Sequence, residues 1–154
     1  MNPTQILEAL YQEFSDVERP EHFTKFEHCE ECREHNETMR SANRDTLTAS
    51  FLGSFGWNPL SFLTEQGFAY FMPRLIELLL QDAKFGSGDP FAESMLFQLS
   101  PSVSFDRFLS YSPQKRRAVL EALKYYKNHS THDRFTGEDV DKAIQYWQLK
   151  PRGI

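Results

Sequence analysis

Residues 28–35 read His-Cys-Glu-Glu-Cys-Arg-Glu-His and bring both cysteines and two of the five histidines of the chain into one short run. Thiolate sulfur and imidazole nitrogen are the donors that a zinc-type ion selects. Laid on a helix at about 100° per residue, His28, Cys32 and His35 share one stripe, and Cys29 stands about 60° from Cys32. A structural ion takes four protein ligands, and a catalytic one takes three and a water. One helical turn cannot surround a tetrahedral ion, so a fourth donor has to come from elsewhere, and His129 and His132 form the other close histidine pair. The zinc set expected on this reading is Cys29, Cys32, His35 and His28, with His129 or His132 as the alternative fourth ligand. Two other readings stand beside it. A redox Cys-x-x-Cys lacks the βαβ pattern that usually accompanies one. Two quiet thiols, partly buried on a helix beside surface histidines, are the plainest expectation, and they require no cofactor.

A second chemical signal is the basic run Lys115, Arg116 and Arg117, which follows Ser112-Pro113. Cations in the first turn of a helix oppose its macrodipole by about 0.3–1 kcal/mol each when exposed, so something has to offset them. Carboxylates of the same domain would do so, and so would the acidic surface of another protein. Elsewhere the sequence is poor in catalytic patterns. Gly86-Ser87-Gly88-Asp89 lacks the Lys-Ser/Thr of a phosphate loop, no Gly-x-Ser-x-Gly elbow occurs, and no carboxylate pair is set apart as an acid and a base. The reading leans away from an enzyme.

These side chains must be positioned by helices. Asn2 and Pro3 open a first one, with Ile6, Leu10, Phe14 and Val17 on one face. After Arg19-Pro20, the cysteine run predicts an exposed helix reaching Met39, followed by a polar loop over residues 40–45. Thr46 or Thr48 caps a short turn ending near Gly53. Residues 68–82 are apolar on nearly the whole circumference, which places that helix in the middle, with Pro73 either kinking it or starting it afresh. A helix over residues 91–99 follows. Ser112-Pro113 opens the clearest one, with Val119, Leu120, Leu123 and Tyr126 on a stripe, and Thr136-Gly137-Glu138-Asp139 is a cap-like start for the last, with Val140, Ala143, Ile144 and Trp147. Residues 103–108 suit a short extended piece. The expectation is an all-α fold, one compact domain over residues 1–154 with about six or seven helices around a central apolar helix. Phe71, Leu75, Leu79, Val119, Leu123, Ile144 and Trp147 should be buried together. The aromatic cluster Phe51, Phe55, Trp57, Phe62, Phe68, Tyr70 and Phe71 should pack in the core rather than line a pocket.

Composition agrees with this build. A chain of 154 residues hides about 70% of its unfolded surface in one core, and 14 Phe, 6 Tyr and 2 Trp should make that core aromatic-rich. A net charge of −5 supplies no field for a phosphate backbone, which argues against nucleic acid. The run over residues 75–80, interrupted by Glu77, is far shorter than the roughly 20 residues of a membrane span. The first residues lack the pattern of a signal peptide, and two cysteines three apart build no disulfide scaffold. Both features point to the cytoplasm.

Several motifs resemble a bacterial family of small proteins, a domain of unknown function. They are the Cys29/Cys32 segment, Gly67-Phe68-Ala69-Tyr70-Phe71-Met72-Pro73, Ser112-Pro113-Gln114-Lys115-Arg116-Arg117-Ala118-Val119 and Ala143-Ile144-Gln145-Tyr146-Trp147. The chain departs from the pattern at Met72, where leucine is usual, and at Lys115-Arg116. The resemblance implies a shared fold and no activity. Taken together, the expectation is a non-catalytic cytoplasmic protein that binds another protein, as a regulatory or toxin-neutralising partner would, through Lys115, Arg116 and Arg117. The alternative is a zinc protein, structural or hydrolytic, built on Cys29, Cys32 and His35.

Overall fold

The computed structural model describes residues 1–101, 106–130 and 134–148, without the side chains of residues 134 and 135. Seven helices lie among them: α1 (Pro3–Glu13), α2 (Glu30–Arg40), α3 (Ala49–Leu52), α4 (Glu65–Leu80), α5 (Phe91–Gln98), α6 (Pro113–His129) and α7 (Arg134–Gln148), with a 3₁₀ turn at Leu60–Phe62. Among the described residues there is no strand, only isolated bridges between Thr24 and Leu63 and between Lys84 and Pro90. The all-α expectation holds.

Local chemistry starts most of these helices where expected. Asn2 accepts from the Gln5 backbone at 2.9 Å while the Gln5 side chain accepts from the Asn2 backbone at 3.0 Å, which is a reciprocal capping box ahead of Pro3. Thr48, Thr64 and Ser112 cap α3, α4 and α6 through their hydroxyls. Gly53, at φ 117°, closes α3, and a Cβ there would strike the Trp57 carbonyl. Three starts differ from expectation. The central helix begins at Glu65 behind Thr64, ahead of the expected stretch over residues 68–82. The cysteine helix begins only at Glu30, with Cys29 in extended backbone at φ −161° as its cap. The last helix begins at Arg134, so Thr136 and Gly137 lie inside it.

α4 is the centre, packed against α1, α5 and α6, while α7 covers α5 and α6. Pro73 sits inside α4 and does not open a new helix. Its missing donor costs about 3 kcal/mol in a helix interior, and the burial of Phe68, Phe71, Met72, Leu75, Ile76, Leu78 and Leu79 outweighs that. Phe71, Leu75, Leu79, Val119, Leu123 and Trp147 are buried in one cluster, with Ile144 half-buried against it. The aromatic expectation is corrected in part. Phe68 and Phe71 are fully buried and Phe62 and Tyr70 half-buried, whereas Phe51, Phe55 and Trp57 are 47%, 50% and 45% exposed. Phe51 lies on the exposed side of α3, and the segment behind it turns back on itself through Ser54–Trp57 backbone bonds, which leaves Phe55 and Trp57 about half exposed. Of the expected extended piece, residues 103–105 lie outside the described residues, and residues 106–108 are irregular. No helix among the described residues is long and apolar enough to cross a membrane.

Candidate metal centre

The cysteine segment is held to the core by side chains. Asn36 Oδ1 accepts from the backbone N–H of Phe23 at 2.7 Å and of Thr24 at 3.2 Å, and the Thr24 hydroxyl donates to the Cys32 carbonyl at 2.6 Å. Arg19 donates to the Arg40 carbonyl at 2.8 Å at the far end of α2. Asn36 Nδ2 also meets His22 Nδ1 at 3.0 Å, and the His22 ring stacks on Phe26. Sequence reasoning missed Asn36 and Thr24. Asn36 lies one turn beyond Cys32 on the same buried stripe, and a polar residue on an inward face was the signal available.

Against that frame His28, Cys29 and Cys32 converge, with donor atoms all within 4.8 Å of one another, the one such His/Cys/Asp/Glu group among the described residues. The two sulfurs are 2.9 Å apart, and Cys32 Sγ is 3.7 Å from His28 Nδ1. Cys29 Sγ accepts the Cys32 backbone N–H at 3.2 Å, which makes a thiol the cap of α2. His28 is exposed, Cys29 half-buried and Cys32 buried. The sulfurs are therefore unequal. Hydrogen bonds from the Cys32 thiol, the Cys32 backbone and the His28 ring hold Cys29 below the usual thiol value. The shared hydrogen bond and burial push Cys32 above it.

His35 is not part of this group. Its ring is 2% exposed, packed 4.6 Å from the Trp57 ring and 4.7 Å from that of Phe62. Its Nε2 makes no hydrogen bond and lies 3.8 Å from the nearest Glu31 oxygen. The one-stripe expectation fails because Cys29 is a cap in extended backbone. The Cys29 sulfur and His28, both ahead of α2, therefore meet Cys32 in its first turn, while His35 turns inward one turn later. His129 stacks on Tyr125, with Nδ1 3.0 Å from the Tyr125 carbonyl, and is absent from the donor group. His132 lies outside the described residues.

The basic turn is resolved residue by residue. Lys115 pairs with Asp16 at 2.9 Å. Arg116 is 5% exposed, stacks over Tyr146 and Trp147 at 4.9 Å from each ring, and donates to the Tyr146 carbonyl at 3.1 Å. A side chain so enclosed has no face to offer a partner, which corrects the expectation for Arg116. Arg117 alone of the three is exposed. Another buried cation was missed. Arg107 donates to the Leu60 and Leu63 carbonyls at 2.8 and 2.9 Å and to Gln98, and lies over the Phe68 ring at 4.6 Å.

The chain belongs to a family of unknown function, DUF6714. The match covers residues 2–150. No curated protein and no solved structure matches the chain. Membership supplies no activity.

Proposed function

We propose that this is a metal-binding protein whose His28 Nδ1, Cys29 Sγ and Cys32 Sγ take a zinc-type ion. The observation that supports it is the convergence of three soft donors at one helix start. In a regular tetrahedron with bonds of about 2.3 Å to sulfur and about 2.0 Å to nitrogen, the sulfur–nitrogen edge is about 3.5 Å and the sulfur–sulfur edge about 3.8 Å. The Cys32–His28 separation of 3.7 Å fits as it stands, and the sulfurs at 2.9 Å need to part by about 0.9 Å. The exposed flank at His28 leaves the fourth position to water or a further side chain. Three protein ligands and an open position suit a Lewis-acid site, and a closed fourth position suits a structural one. Two unpaired thiols agree with work in a reducing compartment, the cytoplasm in this proposal. Contact with another protein through the basic turn retains only Arg117, and the metal reading takes precedence.

Cobalt(II) titration of the full chain, purified without a histidine tag, tests this. About one ion per chain should bind with a thiolate-to-metal absorption band. Cys29→Ser and Cys32→Ser should lose the band, and His28→Ala should weaken binding, while His129→Ala leaves it intact. No band with the wild-type chain would overturn the reading.

A further inference from the structure

The two sulfurs stand at a separation that serves a second chemistry. A zinc-bound pair requires about 3.8 Å and a disulfide about 2.05 Å, so 2.9 Å lies midway between them. We propose that Cys29 and Cys32 also form an exchanging dithiol, Cys29 attacking the disulfide of a neutral or cationic small molecule and Cys32 resolving the product. This goes beyond metal binding and does not depend on it. The same sulfurs cannot serve both at once.

The roles follow from position. Cys29 is the half-exposed cap of an 11-residue helix, its sulfur accepting the Cys32 N–H at 3.2 Å at the protein surface. Cys32 is 7% exposed, so an outside disulfide meets Cys29 first, and only a sulfur already bonded at Cys29 comes within reach of Cys32. Cys29 attacks R–S–S–R, forms Cys29–S–S–R and expels one RS⁻, which takes up the proton that Cys29 lost. Cys32 then attacks the Cys29 sulfur, closing the Cys29–Cys32 disulfide and expelling the second RS⁻, which takes the Cys32 proton. In sum, two thiols are oxidised, and one small-molecule disulfide is reduced to two thiols. The class of substrate is set by charge. Glu27, Glu30, Glu31 and Glu34 are all exposed around the pair, against Arg33 alone in the same stretch, and this field repels anionic disulfides.

The test uses the full chain, reduced and stripped with chelator, treated with cystamine and followed by intact mass. The wild type should lose two hydrogens and retain no adduct. Cys32→Ser should accumulate one cysteamine adduct at Cys29, and Cys29→Ser should react at least about tenfold more slowly. Limiting iodoacetamide on the wild type should label Cys29 first, which reads the same asymmetry without a variant. Cystamine should outpace oxidised glutathione by about tenfold at low salt, with the gap narrowing in high salt. A stable wild-type adduct without closure, or preferential labelling of Cys32, would overturn the dithiol. Glutathione disulfide reacting as fast as cystamine would overturn the substrate class. The cobalt titration is a separate readout, so failure of either proposal leaves the other measurable.

Discussion

His35 shows what burial does to one residue. Enclosed by Trp57 and Phe62, its ring is pushed below the ordinary histidine value of 6.5 by loss of solvent, against the opposing pull of Glu31 and Glu34. The unfolded chain therefore binds this proton more readily than the folded one. Stability from His35 is complete above pH 6.5 and drains away as pH falls through the lowered folded value. Melting temperature measured downward from pH 6.5 should fall faster for wild type than for His35→Phe, which keeps a ring in the slot and removes the proton. Parallel curves would show that His35 does not titrate with folding. A residue that was legible as a metal ligand from its spacing is thus a core residue. Trp57 and Phe62, over twenty positions away, decided its role, and no local pattern encodes that contact. Arg116 was misread for the same reason, since its partners lie in α7.

At the level of elements, Gly67 carries a strong constraint. It sits in the first turn of α4, and a Cβ there would come within 2.8 Å of the Phe23 carbonyl and 3.2 Å of Phe23 Cα. Thr64 N donates to that same carbonyl at 2.8 Å, so the strand-like stretch that leads to the cysteines is locked against the start of the central helix. Alanine gains about 1 kcal/mol over glycine in a free helix. Here the sign should reverse. Gly67→Ala is expected to lose about 1–3 kcal/mol, the range for overpacking, and urea denaturation measures it. A stabilised variant would show that the contact yields freely. Helices were largely legible because their apolar residues recur at three and four and their caps are ordinary hydroxyls and amides. α2 was misplaced at its start because its cap is a thiol, which lies outside the usual capping set and continues the helical spacing of the run behind it. α7 was misplaced because Thr136-Gly137 imitates a boundary.

For the whole molecule, the all-round apolarity of residues 68–82 foretold a central helix, and the packing of α1, α5 and α6 against α4 bears it out. Leu79 is fully buried there. Leu79→Ala should cost about 2–5 kcal/mol out of a total of about 5–15, read as a lowered urea midpoint with an unchanged slope. A variant as stable as wild type would refute the placement. The candidate site was legible only as a list of residue types, because its geometry depends on where α2 begins and on what holds it. Asn36 draws out a last consequence. One side-chain oxygen receives the amides of Phe23 and Thr24, so the stretch ahead of the cysteines and the helix after them are fastened at a single atom. The chain from Thr24 to Asn36 is thereby a closed loop whose ends were joined by folding. Its closure entropy is already spent before any ligand arrives. On the metal reading, that closure lowers the ordering cost of binding, and the parting of the two sulfurs is the rearrangement left to make.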